Sequence, residues 1–247
     1  MFGALLSRIQ NRREEVSKMA IPSKPKTGLK KVGLFAAAAA ALTSPVLSTN
    51  PAKTTPAPAP GLATMSNGCT MLGSETAGTE HGAENKLKNR FTFPMMADID
   101  ASVTLNEMLK SGSEIEFDTT KAATIDGYIS EVKAGGIESC NCHADTPELM
   151  DTHIYVSTST NATDSLKKNS AIIEITPRIR TQMKAKGEDW TTEALKKKLK
   201  GKHVRISGWL FYDKEHENAA ENIAVRPNNW RKTCWEIHPV TKIDLIP

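Results

Sequence analysis

Downstream of residue 100 the apolar positions come in short runs whose spacing switches between helical and alternating, and those switches mark the elements. A short helix is predicted over 105–111. Thr104 and Glu107 have the spacing of a capping box, Val103 and Met108 that of a hydrophobic staple, and Gly112 ends the turn. Strands are predicted over 122–132 (AATIDGYISEV), 152–158 (THIYVST) and 170–179 (SAIIEITPRI), each rich in β-branched residues. A helix over 190–200 follows, with Ala194, Leu195 and Leu199 on one side, Glu193 near its start, lysines toward its end and Gly201 as its stop. Two further strands are predicted over 203–212 (HVRISGWLFY) and 235–246 (WEIHPVTKIDLI).

Three strands, a helix and two strands are the element order of the OB-fold, a five-stranded Greek-key barrel with a helix between strands three and four. An open α+β sheet has the same order, but Gly127 and Gly208 inside strands suit the sharp bends of a small barrel. The expected class is therefore all-β with minor α, an OB-like barrel preceded by a short N-terminal helix.

Upstream, Lys24, Lys26, Lys30 and Lys31 precede an apolar run over 32–42, with Val46 and Ser48 placed as the −3 and −1 positions of a cleavage site. Residues 1–48 read as an export signal, with Met19 as an alternative start, or as an uncleaved anchor that tethers the chain to a membrane. Residues 49–82, with PAKTTPAPAPG at their centre, read as a solvated linker, leaving 83–247 as the folded domain. The expected location is periplasmic or extracellular, with no transmembrane segment in the mature chain.

The 247 residues are 39% hydrophobic and 24% charged, an ordinary globular balance. No run reaches the roughly 18 apolar residues of a spanning helix. A formal charge of +4 suggests a polyanionic partner until it is located: eight Lys or Arg against two Glu put +6 in residues 1–50 and leave −2 on the rest. Net charge therefore gives nucleic acid no support. One local stretch keeps that partner open, running from Arg178, Arg180, Lys184 and Lys186 to Lys196, Lys197, Lys198, Lys200, Lys202 and Arg205, with Trp190 or Trp230 as stacking groups. Such runs are more often a solvated helix face.

In an OB barrel the ligand lies on strands two and three between the first and fourth loops, and the unusual residues fall there. Strand two carries Asp151, His153 and Tyr155 on one face, and strand three carries Glu174, Thr176 and Arg178. The bordering loops add His143, His216, Arg226, Trp230 and Arg231. Cys140, Cys142, His143 and His153 have zinc-ligand chemistry, although a C-x-C-H cluster lacks the spacing of a zinc finger. In an oxidising compartment Cys140 or Cys142 could instead pair with Cys234, and four cysteines permit three complete pairings among which the sequence does not choose. A catalytic alternative has Asp151, His153, Glu174 and His238 holding a divalent cation that activates water against a phosphodiester, with Arg178 neutralising charge. No G-x-S-x-G elbow, P-loop or H-E-x-x-H helix is present.

The segments Asn141-Cys-His143, Asp151-Thr-His-Ile154, Ile173-Glu-Ile-Thr-Pro-Arg178, Gly208-Trp-Leu-Phe-Tyr-Asp213 with Glu215-His216, and WEIHPVTKI from Trp235 together resemble a family of exported bacterial proteins with an OB-like fold. The resemblance spans roughly residues 85–247 and implies fold and export; no activity comes with it. The expectation is an exported binding module for a single-stranded oligonucleotide or an oligosaccharide. The alternatives are a metal-dependent phosphodiesterase on the same face and a structural envelope protein with a protein partner.

Overall fold

The alternating runs form five strands: β1 (Ala122–Ala134), β2 (Thr152–Ser157), β3 (Ala171–Ile175), β4 (His203–Tyr212) and β5 (Trp235–Leu245). They close into a barrel in the order β1-β2-β3-β5-β4, with β4 also paired to β1. All pairings are antiparallel except β3 with β5. The computed structural model describes residues 62–160 and 168–247, within the compact unit Thr55–Pro247. The expected export segment lies outside the described residues. Among them, no helix is long and apolar enough to cross a membrane.

Among the described residues four α-helices accompany the barrel: α1 (Glu80–Lys88), α2 (Leu105–Lys110), α3 (Pro177–Ala185) and α4 (Thr192–Leu199). Ile125, Ile129, Ile154, Ile173, Ile206, Leu210 and Ile237 fill the interior, plugged by Leu105 and Met108 of α2 and Leu195 and Leu199 of α4. Both plugging helices start on a threonine cap, as Thr104 accepts from the Glu107 amide and Thr191 from that of Ala194. Gly208 is a bend that only glycine permits, because a Cβ there would lie 2.3 Å from the Pro239 carbonyl oxygen where β4 crosses β5.

Three expectations are corrected. The third strand stops at Ile175 instead of running to 179: Thr176 caps α3 by accepting from the Ile179 amide, and Pro177 sits in its first turn. Proline has no amide for a sheet ladder, and its fixed φ suits a helix start. Arg178 and Thr176 therefore do not share a strand face with Glu174.

The linker expected to reach residue 82 is packed from Leu62 onward, forming a strap across the barrel. Cys69 is disulfide-bonded to Cys142, so the expected pairing with Cys234 does not form, and Cys140 and Cys234 are buried free thiols. Gly73, at φ +61, comes so close to the Ser139 carbonyl oxygen that a Cβ would lie 2.0 Å from it. Asn89, just past α1, donates to the carbonyls of Met71 and Cys140. Arg178 locks the strap from beneath, donating to the carbonyls of Leu62, Cys69 and Thr70 and to Asn89 Oδ1. Sparse apolar content concealed this packing because a cystine and backbone-directed hydrogen bonds hold the segment.

Candidate functional site

Strand alternation decides which side chains leave the barrel. With Ile154, Ile173 and Ile237 inside, their neighbours His153, Glu174, Glu236 and His238 point outward, and His153 lies directly opposite Glu174. That outer wall is not open to solvent. The strap and α1 cover it, so Glu174, Glu236, His238, Tyr155, Ile172 and Phe211 are all buried. Lys88 reaches down from the last turn of α1, 5.6 Å above the Phe211 ring.

Between wall and strap lies a cluster of ionisable groups. His153 Nε2 is 3.1 Å from Glu174 Oε1 and 3.7 Å from Glu138 Oε1. Lys88 Nζ donates to Glu138 Oε2 at 2.9 Å. His238 Nε2 is 3.4 Å from Asp151 Oδ2, and its Nδ1 is 3.4 Å from Glu236 Oε2 and 3.6 Å from Glu174 Oε2. Cys140 Sγ approaches Glu138 at 3.4 Å and Asp151 at 3.8 Å.

Proton affinities follow from these contacts. Burial by itself would lower His238, but the surrounding carboxylates of Glu174, Asp151 and Glu236 override it and bring it up to about 10. His153 moves up for the same reason, against burial and toward Glu174 and Glu138. Burial raises the Glu174 carboxyl, helped by Glu236. Glu138 goes the other way: burial would raise it, yet His153 and Lys88 hold it below the usual carboxylate range. The Cys140 thiol is pushed up by burial and then by Asp151, so it stays protonated and is a poor nucleophile.

A second arrangement occupies the connection between β4 and β5. Buried Arg231 donates to Asp213 and to Glu236, each at 2.5 Å, and to the Thr233 carbonyl. Asp213 also holds His216 Nδ1 at 2.7 Å. Trp230 rests on this frame, edge-on to His216 at 5.4 Å and 5.5 Å from the Arg231 guanidinium, with 37% of its surface exposed. Arg226 folds back on the same loop, donating to Asn218 through its side chain and to Asn229 Oδ1 through its amide.

The structure thus brings Asp151, His153, Glu174 and His238 together, and separately His216, Arg226, Trp230 and Arg231. It removes Arg178 from the first group by pinning it to strap carbonyls. The Cys140, Cys142, His143 and His153 set does not assemble: Cys142 is in the disulfide, and His143, exposed in a left-handed turn, meets Ser74 Oγ at 3.0 Å. Tyr155 lies buried beneath Lys133, whose ammonium is 5.3 Å from its ring. The basic stretch also divides, since Arg178 and Arg180 turn inward while the α4 lysines stay on an exposed face. Trp190 is buried with its Nε1 donating to Glu188.

Lys88, Glu138 and Asp213 were not foreseen. Lys88 and Glu138 lie in segments far apart in sequence that only the fold brings together, whereas Asp213 directly follows the apolar strand β4, where an acid is visible in the sequence. Comparison with family models, with curated proteins and with solved structures gives no match for this chain.

Proposed function

We propose that this chain is an exported OB-like module that binds an oligosaccharide through the loop between β4 and β5. The observation that carries the reading is Trp230, a partly exposed indole seated on a buried Arg231–Asp213–Glu236 frame. A flat aromatic face on a rigid support binds a ring without first paying to order itself. Strand order and the helices between β3 and β4 support the OB reading, and the Cys69–Cys142 disulfide supports an oxidising compartment. Residues 213–232 hold four acids (Asp213, Glu215, Glu217, Glu221) and four bases (Lys214, Arg226, Arg231, Lys232), a balance that favours an uncharged polar ligand over a phosphate chain.

Burial speaks against the hydrolase alternative, because a phosphodiester would have to displace α1 and the strap to meet His238 or Glu174. The test titrates the full chain from the exported fraction with neutral glucan oligomers, amino-sugar oligomers and oligo(dT) at two salt concentrations. Expected is saturable sugar binding, indifferent to salt and weakened on the order of tenfold or more by Trp230→Ala. Steeply salt-dependent oligo(dT) binding would replace the sugar with a nucleic acid. Binding to none of the three would overturn the proposal and leave the envelope-protein reading.

A further inference from the structure

The cluster beneath the strap contains more acid than its permanent cations answer. Four buried carboxylates, Asp151, Glu174, Asp213 and Glu236, and the half-buried Glu138 contact two such cations among the described residues, Lys88 and Arg231. The nearby guanidinium groups of Arg178 and Arg180 spend their hydrogen bonds on backbone carbonyls, Asn89 and Thr152. Buried polar groups are nearly always hydrogen-bonded, yet here several are not. His238 is fully buried, and neither ring nitrogen makes a hydrogen bond; Asp151 Oδ1 and Glu174 Oε2 share that state. The carboxylate oxygens nearest the ring nitrogens stand 3.4 to 3.6 Å away, longer than a normal hydrogen bond.

The geometry points to a divalent-cation site at Asp151, Glu174 and His238. One donor atom from each lies within 4.8 Å of the others. Two ligands about 2.1 Å from a tetrahedral ion stand roughly 3.4 Å apart. The separation of His238 Nδ1 from Glu174 Oε2, 3.6 Å, is of that order, while Asp151 approaches the other ring nitrogen at 3.4 Å. The three ligands come from the start of β2, from β3 and from β5, so a bound ion would tie the wall together where β3 and β5 run parallel. Glu174 is shared with a neighbouring triad of Glu138, His153 and Glu174, so its other oxygen is oriented from His153. A histidine nitrogen with two carboxylates selects zinc or a related transition ion over calcium or magnesium, which prefer oxygen alone. Burial makes this a structural site, and it stands independently of the sugar-binding proposal.

The test is metal analysis and native mass spectrometry of the untagged full chain prepared without chelator, followed by titration of chelator-treated protein with Zn(II), Mn(II) and Co(II). One equivalent of a transition ion, a melting temperature that climbs with added metal, and a Co(II) d–d spectrum are expected. Glu174→Gln should abolish all three, whereas Trp230→Ala should leave them intact. If Glu174→Gln does not fold, the wild-type titration decides alone. Metal-free protein that melts at the same temperature with and without Zn(II), and binds none of the three ions, would overturn the site and assign the cluster to two protonated histidines.

Discussion

Arg178 Nη1 donates to Asn89 Oδ1 at 2.6 Å, joining the first turn of α3 to the residue that ends α1. The same guanidinium satisfies three strap carbonyls, so one buried side chain holds three backbone segments. Arg178→Met removes every one of these bonds while keeping the aliphatic stem. It should destabilise the fold by about 3 kcal/mol or more, since buried acceptors are left unpaired. Denaturant unfolding measures the loss, and limited proteolysis should locate it at residues 62–79; a wild-type unfolding curve would show that the clamp is dispensable.

The disulfide and the clamp act on the same strap. Cys69 and Cys142 are 73 residues apart, and closing a loop of that length restrains the unfolded chain by about 4 kcal/mol. Replacing both by serine should lower the melting temperature and expose the Cys140 thiol, which the strap buries, to alkylation. Equal alkylation of the wild type and the double variant would mean that the strap stays down without its cystine.

Two adjacent glycines offer a matched pair. A Cβ on Gly135 would fall 2.6 Å from His153 Nε2 and 3.1 Å from the Asp151 carbonyl oxygen, whereas one on Gly136 meets nothing within 4 Å. Gly135→Ala should therefore cost about 1–3 kcal/mol by pushing the His153 ring off Glu174. Gly136→Ala should be close to neutral. Parallel thermal melts check this, and equal effects would contradict the packing of His153 beneath β1.

His216 supplies a pH dependence at the margin of the cluster, through its contact with Asp213. Its hydrogen bond to Asp213 raises its proton affinity, with burial opposing. A raised folded-state value stabilises the protein fully below the unfolded value near 6.5 and loses that contribution as pH rises through the folded value. Because the His216 side chain is 43% exposed, the effect should be under about 1 kcal/mol. Stability measured from pH 5 to 9 should fall more steeply for the wild type than for His216→Gln, and identical slopes would remove the pairing from the account.

Local chemistry made much of the barrel legible. The strands of 203–212 and 235–246 read directly from alternation, the α2 start reads from Thr104, and α4 reads from Glu193, its closing lysines and Gly201, because these signals act between neighbours in the chain. The α3 start was equally local, since Thr176-Pro177 is a cap followed by a helix-compatible proline, but the β-branched run before it masked the switch. Ile172 and Ile173 are adjacent and both buried, a pattern that belongs to a strand covered on two sides. That pairing, with Tyr155 and Phe211 on the outer wall, was the available sign that strands two and three do not face solvent.

The sequence by itself determined the strand pattern, the caps and the set of acids and histidines on alternate positions, because period and capping depend on residues a few places apart. Only the tertiary structure decided that Cys69 finds Cys142, that Arg178 serves the strap, and that Lys88 and Glu138 close over His153 and His238. Those partners lie far apart in sequence, and no local propensity encodes which of several chemically suitable groups a chain closure will bring within 4 Å. The β4–β5 loop stands between the two cases: its residues were readable as a group, while the buried Arg231 frame that aims Trp230 outward depends on β5 lying beside β4.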